Sequence, residues 1–169
     1  MCKRPHSNLE ETWQDIQSLI YGPEIERATI FKGFTESLAA LREEGANRFF
    51  LVSHKTRYAT RDINQFYDLR KACLCLLESQ DIVGIKSPIK AENVFFCDSL
   101  PAKVKMIEEL RIDYFVDDLA SVLLHPSFPS GTKGILFDPN ESGYGDHANE
   151  RVLSRWSKFE LQKVGMLSA

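Results

Sequence analysis

The stretch Asp113-Tyr114-Phe115-Val116-Asp117-Asp118 joins an apolar run to two adjacent carboxylates. From Ile112 to Val116 the residues are mostly aromatic or branched, the composition of a short buried strand. Neighbouring acids repel, and they are costly to desolvate unless a cation pairs with them. Lys103, ten residues before Asp113, offers an ammonium; a hard divalent ion would serve equally. In an open α/β sheet, chemistry collects in the crevice at the carboxyl ends of the strands. The plainer alternative is a solvated strand end, with Asp117 capping the helix that follows.

Working outward, other apolar runs carry the same signature. Arg48-Phe49-Phe50-Leu51-Val52 predicts a strand ending in Ser53-His54-Lys55-Thr56-Arg57, and Asn93-Val94-Phe95-Phe96-Cys97 predicts another. Gly134 to Phe137 predicts a fourth, closed by Asp138-Pro139-Asn140. Between them lie helical patterns. Ser7-Asn8-Leu9-Glu10 reads as a capping box before Trp13, Ile16, Leu19 and Ile20, and Gly22-Pro23 ends that helix. Residues 34–44 form a second helix stopped by Gly45, and residues 63–77 a third, with Phe66, Leu69, Cys73, Leu76 and Leu77 on its apolar side. Pro101 suits the first turn of a fourth helix running to about Arg111. A short helix spans 119–124 before Pro126 and Pro129, residues 143–149 read as loop, and 151–164 as a terminal helix. Strands alternating with helices imply right-handed crossovers, a parallel sheet and helices on both faces.

Bulk composition narrows the function classes. The 169 residues suffice for one domain with a real core. A net charge of −3 supplies no basic field for nucleic acid. No apolar run reaches the roughly 20 residues that span a bilayer, and the basic N-terminus lacks the apolar core of a signal peptide. A cytoplasmic location is the expectation. The four cysteines contain no CxxC pair, which agrees with it, and Cys73 and Cys75 read as small core or boundary residues. His125 and His147 fall in polar loops and read as surface residues.

Three features converge on successive strand ends. Ser53 and Thr56 offer hydroxyls and backbone N–H groups suited to phosphate oxygens. Lys103 offers a compact positive charge, and Asp117 and Asp118 offer hard oxygen ligands. In order and spacing they resemble motifs two, three and four of the haloacid dehalogenase (HAD) superfamily. The likeness extends through Trp13…Ile20-Tyr21-Gly22, Phe31-Lys32-Gly33-Phe34, Leu51 to Arg57, Phe115 to Leu119 and Gly134 to Pro139. These segments are similar to a group of bacterial HAD-like hydrolases of largely unassigned substrate.

The resemblance implies a single HAD-like domain over 1–169. Residues of about 1–33 would be a helical cap or linker remnant, about 34–140 the core with motifs two to four, and about 147–164 a C-terminal helix. It implies that Ser53 binds a transferring phosphoryl group of a small phosphorylated metabolite, with His54, Lys55, Thr56 and Arg57 beside it. Lys103 would neutralise developing charge and orient a nucleophile. Asp117 would coordinate magnesium, and Asp118 would support it.

One part of the pattern is absent. A HAD phosphohydrolase needs an Asp-x-Asp motif at the end of its central strand, its first acid attacking phosphorus and its second serving as acid and base. No two aspartates in this sequence stand two positions apart, and no apolar strand precedes Trp13. The resemblance therefore implies an N-terminally shortened member whose magnesium binding is weak or absent. It also implies a slot between the strands ending at Ser53 and Asp117, closed by their direct pairing or filled by a borrowed strand. Edges left bare there would offer a route to self-association. Two further readings are a non-catalytic phosphate- and magnesium-binding module and a decayed remnant. A two-component receiver domain is disfavoured, because there the acid pair follows the first strand and the lysine comes late.

Overall fold

A computed structural model describes residues 6–46, 48–59, 67–142 and 151–168, with side chains from residue 11 onward. Helix α1 spans His6–Tyr21 and α2 Phe34–Glu43, followed by β1 (Leu51–His54), α3 (Leu69–Ser79) and β2 (Val94–Cys97). Then come α4 (Leu100–Glu109), β3 (Tyr114–Asp117), α5 (Ala120–Leu123), β4 (Lys133–Phe137), β5 (Arg151–Leu153) and α6 (Lys158–Lys163). The class is mixed α/β, with short parallel strands and helices. No described helix is long and apolar enough to cross a membrane.

The strands form two small sheets rather than one. β1 pairs with β2 in parallel, Leu51 opposite Val94 and His54 opposite Cys97. β3, β4 and β5 form the other, also parallel, in that spatial order. Their relative direction follows from one contact. α4 starts at the carboxyl end of β2 and runs back, yet Lys103 in its first turns meets Asp117 at the carboxyl end of β3. All the carboxyl ends therefore lie on one side, and both sheets point the same way. β1 and β3 do not pair directly; they flank a slot of about 1350 Å³.

Strand alternation distributes the core to two faces. Val52, Cys97 and Phe115 pack with Ile107 of α4 and Val122 of α5. On the opposite face, Leu38 and Leu41 of α2 and Leu161 of α6 cover Ile135 and Leu153, while Leu77 of α3 packs with Ile82, Val83 and Ile89. Helices thus cover both faces, as expected of parallel strands.

Several boundaries differ from the sequence-based expectations. Residues 151–164 were expected to be helical throughout, but Arg151–Leu153 is a strand beside β4, and the helix begins only at Lys158. Ser157 accepts from the Glu160 backbone N–H, so a Ser-x-x-Glu cap sets the start. The third helix begins at Leu69 instead of 63, because Asp68 is extended and caps it through the Lys71 N–H at 3.0 Å. Ile63, Phe66, His147 and the segment 143–149 lie outside the described residues, as do the side chains of the expected cap at 7–10. Helix α1 also departs from the usual pattern of an amphipathic helix: Trp13, Leu19 and Ile20 are each at least half exposed.

Aromatic packing joins the start of α2 to β4 and to the segment before α6. Phe34 and Trp156 meet edge to face at 4.9 Å, and Phe31 meets Phe137 at 4.8 Å. Gly33 makes this approach feasible: it has φ +86°, and a Cβ there would fall 2.0 Å from the Trp156 carbonyl oxygen.

Candidate functional site

The carboxyl ends of β1 and β3 bring Ser53, Lys103, Asp117 and Asp118 to the lining of one slot. Asp117 shares the face of Phe115 by alternation, the face covered by α4, and there it meets Lys103. Both residues are 7% exposed. Lys103 Nζ donates to Asp117 Oδ2 and lies 5.5 Å from the centre of the Phe115 ring. Asp117 Oδ1 accepts from the Leu119 N–H at 3.0 Å, which turns the chain into α5. Strand, first-turn lysine and turn are thus fixed by one carboxylate.

Asp118 is exposed at the rim of the slot. Ser53 lines the slot too, but alternation gives it the face of Leu51, opposite to that of Asp117. Any group held by both Ser53 and Lys103 must therefore lie in the slot itself, between the half-sheets.

The other basic residues of the Ser53–Arg57 segment have partners elsewhere. Lys55 Nζ sits 4.0 Å from the centre of the Tyr21 ring at the end of α1, and burial holds its ammonium below the usual lysine value, opposed by the nearby Cys73. Arg57 pairs with Asp68 at 2.8 Å, and its carbonyl accepts from the Leu69 N–H. Arg70 of α3 donates to the Lys55 carbonyl at 2.8 Å and also pairs with Asp98. This segment thus braces α1, α3 and the loop after β2, and His54, Lys55, Thr56 and Arg57 are not among the slot's lining residues.

A strand-end acid to which the sequence assigned no role at the site completes the mouth. Asp138, directly after β4, is 8% exposed, lines the slot, and accepts from the Ser142 hydroxyl at 3.0 Å. Its position repeats that of Asp117: an acid closing an apolar run. Among the described residues no three His, Cys, Asp or Glu side chains gather as a ready-made metal cage. Magnesium commonly takes only one or two carboxylates, the remaining ligands being water and phosphate. Of the two acids here, Asp118 is exposed, while Asp117 already serves Lys103 through Oδ2 and the Leu119 N–H through Oδ1.

Compared with protein-family models, with curated proteins and with solved structures, the chain shows no significant match.

Proposed function

We propose that this is a HAD-like phosphate site of the kind that serves magnesium-dependent hydrolysis of a small phosphorylated metabolite. The observation that carries the reading is the buried Lys103–Asp117 pair at a strand's carboxyl end, on the lining of the same slot as Ser53. A desolvated lysine and carboxylate held at a slot mouth suit the binding of a phosphoryl group and its counter-ion. In this reading Ser53 donates to phosphate oxygens, Lys103 balances their charge, and Asp117 with Asp118 contributes the protein's ligands to magnesium. Magnesium would supply charge neutralisation of the phosphoryl oxygens.

The sequence holds no Asp-x-Asp, so covalent catalysis has no nucleophile to activate. The chain is accordingly expected to bind phosphate and magnesium without turning over a phosphate ester. Calorimetry with inorganic phosphate and magnesium together should give a binding isotherm that Asp117→Asn abolishes, and a chromogenic phosphate ester should not be hydrolysed. Absence of heat would sink the phosphate site. Magnesium-dependent hydrolysis sensitive to Asp117 would show instead that the catalytic group lies elsewhere in the chain.

A further inference from the structure

We propose that the slot between β1 and β3 is a strand-binding site, taking one extended apolar segment of a partner polypeptide that runs parallel to both. Among the described residues each inner edge has a strand neighbour on one side only, so no described ladder meets its outward backbone groups on the slot side. An extended peptide satisfies both edges at once, as no side chain or compact ligand does.

The walls select what enters. Val52 and Phe115 lie on one face of the slot, and Phe34, Leu38 and Phe49 on the other. An occupant is therefore buried on both faces and apolar throughout its middle. At ordinary spacings, ~4.8 Å between strands, ~10 Å between layers and ~3.3 Å of rise, a strand needs roughly 160 Å³ per residue. The slot, at about 1350 Å³, has room for about eight such residues, enough to cover the whole of each edge strand.

Charge sets direction and partner chemistry. At the amino ends of the strands the lining carries Arg48, Arg111 and Lys133 against Glu44 and Asp113. At the carboxyl ends it carries Asp117, Asp118 and Asp138 against Lys103 alone. The slot runs from a net positive end to a net negative one, so the complementary segment trails in lysine or arginine. This inference does not depend on phosphate chemistry.

The test uses the whole chain with synthetic peptides, in the presence of a chelator so that no divalent ion neutralises the acidic mouth. The first peptide has about six alternating valine and alanine residues followed by two lysines, long enough to span the edges. The second carries the lysines in front; the third has proline at its centre. Amide exchange at 51–54 and 114–117 should slow together on adding the first. The second should bind about tenfold more weakly, its charges being reversed against the slot. The third should give no joint protection, because proline removes a ladder donor. Protection of one edge alone, equal binding of the proline peptide, or no binding would overturn the strand site. Equal affinity for both lysine placements would overturn the assigned direction. Protection that rises with protein concentration without peptide would identify a second copy of the chain as the occupant, overturning the partner assignment.

Discussion

Lys103 and Asp117 are the two ionisable groups whose burial the fold can least afford to leave unmatched. Removing one partner strands the other charge in a low-dielectric site, which costs about 3–5 kcal/mol in comparable buried pairs. Replacing both by apolar residues of similar volume is often neutral or better. Asp117→Asn is therefore expected to lower stability by about 3 kcal/mol, and Lys103→Met with Asp117→Leu to recover most of that loss. Urea unfolding of the three proteins checks it, and equal losses in single and double variants would refute the pairing as the cause. The pair thus separates what is needed for folding from what is needed for binding: the double variant should fold and yet bind no phosphate.

At the scale of elements, caps decide where helices start. Asp68 caps α3, and its carboxyl is held below the ordinary 3.8, first by the Lys71 N–H and further by Arg57. A depressed folded value means that the stabilisation is present above 3.8 and is lost as pH falls from there through the folded value. Asp68→Ala should cost about 1 kcal/mol near neutrality, whereas Asp68→Asn keeps a cap acceptor and should cost only a few tenths. Both should flatten the acid limb of a stability–pH profile measured by thermal unfolding. Much of this level was legible in the sequence. Gly45 closes α2 as expected, with φ +101° and the Ala46 N–H returning to the Leu41 carbonyl. The strands expected at 48–52, 93–97, 112–116 and 134–137 are found at Leu51–His54, Val94–Cys97, Tyr114–Asp117 and Lys133–Phe137, the first displaced by three residues at its start. The strand at 151–153 was hidden because three residues give no readable period, and Val152 and Leu153 also fit the helical spacing that follows. The partners of Lys55 and Arg57 were equally hidden. A basic loop reads alike whether its charges face a ligand or, as here, a tyrosine ring and a helix cap.

At the scale of the molecule, the site is as much a gap as a set of side chains. Paired acids and a lysine were visible in order along the chain, but their convergence on one slot depends on how two sheets are held apart. That separation is maintained by α4, whose Ile107 shares a core cluster with Val52 and Phe115, and by α2, whose Phe34 packs on Trp156. No hydrogen-bonded strand ladder crosses between β1 and β3. The two halves are therefore expected to gain order separately, each around its own helices, before side chains join them. Refolding from urea, followed by pulsed amide exchange, should show 94–97 and 133–137 becoming protected at different rates. A single shared rate would mean that the halves form as one cooperative unit. Chain-path arithmetic points the same way: β3 and β4 are joined through one short helix, while β1 and β2 await closure of a loop of about 40 residues, a step whose entropic cost grows with loop length. The half bearing Asp117 is thus placed to form first, and Lys103 arrives as the latch that brings the later half into register.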